Sequence, residues 1–312
     1  MSPSALLLAL AMTLPTAEPI PLAVLGDSDS HSYQDRIGLP EGNGVRGGVH
    51  RDTTLQWTEV LAREHADRVD LGPWGEWHEI DGIARLPRKQ DFRHNFAWSG
   101  ARCDDLLRGE GRQLEPLLQT IALDPRRWRR GVVVIRIGIN DLGTADMLEA
   151  MAQEPDAAKI TRATTHCVNA ISRATLALQR TEPGLRIVLV GLFNNAHWPP
   201  HHDRFRSPDE LARIDRAIDR FDDGLRALAV EAGTVDIFDD RAWFNGHWGG
   251  RDAAGNPAYR TVRHEGLRVT NTGGDEPGNA VVADGHAGTV WNRLWAAALL
   301  EMLEPGEEPG HP

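Results

Sequence analysis

The chain is poor in cysteine, lysine and tyrosine, has no long hydrophobic run, and carries no excess of positive charge. Cysteine occurs only at Cys103 and Cys167. Two thiols make neither a disulfide scaffold nor a zinc site, although they can pair in an oxidising compartment. Lysine occurs only at Lys89 and Lys159, among 34 basic residues. The arginines run along the whole chain and mark no single basic patch. The formal net charge of −11 argues against a general nucleic-acid binder, which needs a basic face. The longest apolar run near either end, residues 4–14, is too short to span a bilayer as a helix.

What remains is the composition of a globular protein. Of 312 residues, 41% are hydrophobic, enough for a self-supporting core and too many for intrinsic disorder. Residues 4–14, followed by Thr16 and Ala17, fit the apolar region of a secretory signal. Residues 1–17 are therefore expected to be a signal peptide, and residues 18–312 a single soluble domain, secreted or periplasmic. No stable membrane insertion is expected.

Short β-type runs alternate with longer helical ones. Residues 21–25, 131–137, 185–192 and 234–238 read as strands, with a further short one at 95–98. Residues 53–66, 101–122, 157–180, 209–232 and 288–303 read as helices. Near-continuous Val/Ile/Leu strands between helices predict a parallel sheet of about five strands in a three-layer α/β/α sandwich. Three stretches, about 29–52, 68–91 and 240–280, lack periodicity and read as long loop insertions.

Ligands of such a sheet bind beyond the carboxyl ends of its strands, so the chemistry is sought there. The first strand runs into Gly26-Asp27-Ser28-Asp29-Ser30 and the third into Gly138-Ile139-Asn140-Asp141. An asparagine there suits an oxyanion donor. Between them stands Asn95-Phe96-Ala97-Trp98-Ser99-Gly100-Ala101, where Gly100 offers a backbone N–H at a helix start. Ala283-Asp284-Gly285-His286-Ala287-Gly288-Thr289 precedes the last helix, and there a carboxylate beside an imidazole can fix its tautomer. Each block alone also reads as an ordinary turn.

Taken in order, these blocks resemble the SGNH hydrolases, the GDSL esterases and lipases, over residues 21–303. The resemblance implies a flavodoxin-like SGNH fold and a serine esterase. It implies Ser28 as nucleophile, His286 as general base and Asp284 as the residue orienting it. It implies an oxyanion hole from the Ser28 and Gly100 amides and the Asn140 side chain, with no metal and no organic cofactor. The acid and base stand two residues apart here, where the family shows three, which unsettles Asp284. His31 is a second candidate base.

Five tryptophans fall in expected loops: Trp74, Trp77, Trp198, Trp243 and Trp248. An indole there either stacks on sugar or pins the loop to the body. The irregular stretches carry Arg, Asp, His and Gly rather than an apolar lid. The expected substrate is therefore a short-acyl, O-acetyl ester of carbohydrate, small or polymeric. The alternatives are a lipase or lysophospholipase, an acyltransferase on the same scaffold, and an inactive carbohydrate-binding protein. The cluster His197, His201, His202 with His247 lacks the carboxylates or cysteines of a metal site.

Overall fold

The computed structural model describes residues 18–40 and 45–304; the expected signal peptide lies outside them. In chain order they form β1 (Ile20–Gly26), α1 (Trp57–Glu64), β2 (Val69–Asp70), β3 (Trp74–Ile80), β4 (Ile83–Phe92), α2 (Leu114–Leu123) and α3 (Pro125–Trp128). Then come β5 (Val132–Arg136), α4 (Ile139–Leu142), α5 (Ala145–Gln153), α6 (Ala158–Thr181), β6 (Arg186–Val190), α7 (Pro208–Ala232) and β7 (Val235–Phe238). After α8 (Asp240–Trp248), five short strands lie between residues 249 and 281, and α9 (Thr289–Leu303) follows.

The main sheet has five parallel strands in the order β2-β1-β5-β6-β7; four of them are the apolar runs of the sequence, and β2 comes from the 68–91 stretch read as a loop. Alternate residues of a strand point to opposite faces, and here both faces are buried. Ala23, Leu25, Val133 and Ile135 pack into one apolar cluster with residues of α2, α5, α6 and α7. Leu22, Val24, Val132 and Val134 pack into another with residues of α1, α8 and α9. The result is an α/β/α sandwich. No helix of the described residues is long and apolar enough to cross a membrane.

Two local expectations change. Residues 95–98 form no strand: they make a single bridge, Val24 to Asn95. The Asn95 side chain turns inward to the Ser30 carbonyl (2.8 Å) and Asp91 (3.0 Å), so the chain bends away from the ladder. The helix expected over 101–122 is a 3-10 turn, Cys103–Leu106, followed by α2. Gly109 and Gly111 interrupt it, and the Gly111 carbonyl accepts the Trp98 indole N–H at 2.9 Å.

The aperiodic stretches also hold more structure than their patterns suggest. Residues 68–91 contain most of the antiparallel β3–β4 hairpin. Residues 240–280 contain α8, a two-stranded ribbon and most of a three-stranded sheet. Most of their strands are three residues long, too short to show an alternation.

A disulfide joins Cys103 to Cys167 across 64 residues, tying the 3-10 turn to α6. Closing a loop of that length restricts the unfolded chain and stabilises the fold by about 2–4 kcal/mol. The variant Cys103→Ser/Cys167→Ser is expected to lose about that much stability in urea unfolding. A loss within error of zero would show that the crosslink carries no load.

Candidate active site

Ser28 stands two residues beyond β1. Its turn is set by Asp27, whose carbonyl accepts the Ser30 and His31 amides at 3.0 Å and whose Oδ1 accepts the Asp29 amide at 3.0 Å. Burial, helped by the Asp29 charge, pushes the Asp27 carboxyl well above the usual carboxylate range. The Ser28 carbonyl accepts Gln56 Nε2 at 3.3 Å. Its amide and hydroxyl have no hydrogen-bond partner among the described residues.

Gly100 and Asn140 are brought beside this turn. The Trp98 amide donates to the Gly26 carbonyl at 3.3 Å. The Gln113 side chain closes both polar groups of Gly26 at 2.7 Å. Gly100 has φ +89°, a left-handed conformation that glycine takes at little cost. Its amide also has no partner among the described residues. Asn140 lies in α4, and its Nδ2 donates to the Ala101 carbonyl at 2.9 Å, which orients the amide and leaves its second N–H free.

His286 lies in a tight turn before α9. The Gly285 amide donates to the Val282 carbonyl at 2.9 Å, and the Val282 amide to the His286 carbonyl at 2.8 Å. Gly285, at φ +87°, folds Asp284 back onto its neighbour. The Oδ1 atom of Asp284 accepts the His286 amide at 3.2 Å and stands 3.0 Å from His286 Nδ1. That left-handed glycine is how a two-residue spacing still brings the Asp284 carboxylate to the His286 ring. The fit is imperfect: Nδ1 is buried and its N–H direction misses the carboxylate, so the close approach is not an aligned hydrogen bond.

Arg46, which the sequence reading passed over, holds the centre. It is 2% exposed. Nε donates to Asp284 Oδ2 at 3.2 Å, and Nη2 donates to Ser99 Oγ at 2.9 Å and His286 Nε2 at 3.2 Å. The guanidinium lies 5.0 Å over the Tyr33 ring, and the Tyr33 hydroxyl donates to the Ala287 carbonyl at 2.9 Å. Arginine can only donate, so His286 Nε2 carries a lone pair and the ring proton is on Nδ1. Burial works against ionisation of Asp284, but His286 and Arg46 beside it hold its carboxyl below the usual range. The only local signal of Arg46 was an arginine before Gly47-Gly48 inside an aperiodic stretch.

Ser28, Asn140 and His286 line one open cleft of about 160 Å³. Its apolar wall is Ile139, Phe193, Trp198, Ala287 and Trp291; Asp29, Thr144 and Asn195 are polar members. Of the five loop tryptophans, Trp198 alone lines it, with its indole N–H on the Gly285 carbonyl. The other four do not. Trp77 is 2% exposed under the β3–β4 hairpin, with the Lys89 ammonium 4.4 Å from its ring. Trp243 and Trp248 are buried against Trp291, and Trp74 packs on Phe92. For Trp77, Trp243 and Trp248 the apolar area is worth more inside than in a wet cleft, whereas Trp74 stays exposed. Trp291 is both core and cleft wall.

His31 makes no hydrogen bond to the Ser28 hydroxyl. Its Nδ1 meets Ser99 Oγ at 2.8 Å and its Nε2 meets Asp35 Oδ2 at 2.9 Å. The histidine cluster forms no metal-type group among the described residues: His197 Nδ1 meets the Tyr259 hydroxyl at 3.1 Å, and His202 stacks on the Tyr259 ring. The one group of potential ligands gathers Cys103, Cys167 and Asp141. Its sulfurs are bonded to each other, and Asp141 accepts the Cys103 amide and Arg102 Nε, both at 2.9 Å.

A serine, a glycine amide, an asparagine and a histidine at the strand ends of an α/β/α sandwich define an ester hydrolase of the SGNH type. The family model of the GDSL-like lipase/acylhydrolase family matches residues 24–257, and the chain belongs to that family. No curated protein matches the chain. Similar solved structures include a lipase from a goat rumen metagenome, at 16% identity and TM-score 0.46, covering 92% of this chain and 99% of that one. An extracellular lipase from Streptomyces rimosus shows 19% identity and TM-score 0.44, covering 89% and 99%. A mutant Geobacillus acetyl-xylooligosaccharide esterase shows 14% identity and TM-score 0.45, covering 96% and 100%.

Burial also sets a pH dependence. It pushes His94 and His197 down to about 4, well below the ordinary 6.5 of an unfolded chain. Between those values the unfolded chain binds protons that the native protein refuses, so native stability falls as pH drops through that window. Urea unfolding at stepped pH is expected to show this slope, and the variant His94→Gln/His197→Gln a flatter one. An equal slope in both proteins would contradict it.

Proposed function

We propose that this hydrolase is a serine esterase that removes short acyl groups, acetyl above all, from carbohydrate. The observation that carries the reading is the lone pair on His286 Nε2 in the cleft that Ser28 and Asn140 also line. In this reading His286 takes the Ser28 proton as Oγ attacks the acyl carbonyl. The oxyanion develops between the unpartnered Ser28 and Gly100 amides and the free N–H of Asn140. His286 then protonates the leaving alcohol, and water releases the acyl group from Ser28. No step needs a metal or organic cofactor.

The small cleft supports a short acyl group, and its mixed polar and aromatic wall supports a sugar. The exposed large apolar residues are scattered (Val49, Leu86, Leu123, Leu176, Val230 and Leu267 among them), and none lines the cleft. That distribution speaks against a lid or an acyl-chain groove. The disulfide favours an oxidising compartment, in line with an exported protein.

Ser28→Ala is expected to fold and to lose most of its turnover of p-nitrophenyl acetate. Asn140→Ala is expected to lower kcat by about 100- to 1000-fold, the effect of removing one oxyanion donor. Wild-type rates in either variant would refute the assignment. Activity on acetylated xylan or mono-acetylated sugars is expected to exceed that on a C12 ester, and the reverse ranking would favour the lipase reading. Transfer of acetyl to excess sugar acceptor, rather than to water, would identify an acyltransferase. An inert protein that still binds oligosaccharide would identify the inactive form.

A further inference from the structure

The site holds a second serine with the partners of a nucleophile. Ser99 Oγ is 2.8 Å from His31 Nδ1, and His31 Nε2 is 2.9 Å from Asp35 Oδ2. The proton positions follow from the donors. Arg46 Nη2 donates to Ser99 Oγ at 2.9 Å and can accept nothing, so the Ser99 hydroxyl proton points to His31 Nδ1. The Ser99 amide also donates to that nitrogen, at 3.2 Å. Nδ1 is therefore the lone-pair nitrogen, and Nε2–H donates to Asp35.

The support behind this chain is rigid. Asp35 Oδ1 accepts the amides of Ile37 (2.8 Å), Gly38 (2.9 Å) and Gln90 (2.9 Å). Burial opposes ionisation of Asp35, but His31 and these amides hold its carboxyl below the usual range. Burial keeps His31 neutral by lowering its pKa. His31 and Asp35 are buried, Ser99 is half-buried, and the next residue is Gly100 with its free amide. A hydroxyl, a base in the right tautomer and a carboxylate orienting that base are the parts that activate a serine.

We propose that Ser99, with His31 as base and Asp35 as its orienting acid, is a second nucleophile for carbonyl or phosphonyl electrophiles. Ser99 Oγ attacks the acyl carbon of an ester while its proton passes to His31 Nδ1. The bond from the acyl carbon to the alcohol oxygen breaks, and that oxygen takes the proton from His31. Water then attacks the Ser99 ester by the same route in reverse and frees the acid. Arg46 Nη2 lies where charge gathers on Ser99 Oγ as its proton departs. The proposal does not depend on the role given to Ser28.

The test is labelling with a fluorophosphonate probe, in which serine oxygen bonds to phosphorus, fluoride leaves, and peptide mass spectrometry locates the adduct. The wild-type protein and Ser28→Ala are both treated. An adduct on Ser99 in Ser28→Ala, absent from Ser28→Ala/Ser99→Ala, is the expected result. Within the Ser28→Ala background, His31→Gln is expected to slow that labelling by about 100-fold, the loss of a general base. Circular dichroism checks the fold of each variant. Labelling confined to Ser28 in the wild type, with none on Ser99 in folded Ser28→Ala, overturns the proposal and leaves the Ser28 reading intact. Labelling of Ser99 but never Ser28 supports the proposal and overturns that reading. No adduct on either serine overturns both.

Discussion

A guanidinium taken out of water cannot shed its proton, so acceptors must be brought to it. Arg46 is such a group, and the arrangement of the site follows from its needs. Its acceptors come from three separate segments: Asp284 and His286 near the C-terminus, Ser99 in the glycine block, and the Ser28 carbonyl at 3.5 Å. A cation with too few partners in that position would cost several kcal/mol, so these segments cannot drift independently. The same cation fixes the neutral tautomer of His286 and the direction of the Ser99 hydroxyl. One obligate donor thereby sets proton positions on both sides of the site.

The sheet supplies the frame in which those segments can meet. From β1 the chain crosses first to β2 on one side and later to β5 on the other. At such a switch point the loops leaving the two strands diverge and open a crevice. Ser28 follows β1 and Asn140 follows β5, so the cleft falls at the point the topology dictates. Helices on both faces bury the strands, which makes strand-end positions rigid enough to aim side chains. The Cys103–Cys167 crosslink lies just behind the glycine block, where the Cys103 amide also donates to Asp141. That ties the backbone beneath Gly100 to the helix that carries Asn140.

The parallel sheet, and the blocks holding Ser28, Gly100, Asn140 and His286, were legible because each is a local pattern. An apolar run followed by a turn can be read within ten residues. Arg46 was not legible, because its partners lie 18 to 240 residues away and nothing near it distinguishes one arginine among many. The tryptophans misled for a related reason. Aperiodic sequence says that a segment is irregular, not which way its indoles face, and Trp77, Trp243 and Trp248 turned inward because burial favours them. Residues 95–98 have strand-forming composition, yet Asn95 spends its side chain on Ser30 and Asp91, a tertiary demand that outweighs propensity. The two-residue spacing of Asp284 and His286 was visible in sequence; their close approach through a left-handed Gly285 needed the backbone.

The shared donor has a consequence for the proposed chemistry. Both protons of Arg46 Nη2 are placed, one on Ser99 Oγ and one on His286 Nε2. When His286 takes the Ser28 proton, Nε2 becomes a donor and can no longer accept from Arg46. The guanidinium must then release that contact, while keeping Asp284 and Ser99. Withdrawal of the cation also lets the new imidazolium turn toward the leaving alcohol oxygen rather than toward a like charge. Asp284 sees a different change: the guanidinium stays on Oδ2 while the imidazole at Oδ1 gains a charge, so the positive charge beside the carboxylate rises through the step. The poorly aligned Nδ1–H of the resting ring is consistent with such a site, in which Arg46 holds Asp284 while His286 is still neutral.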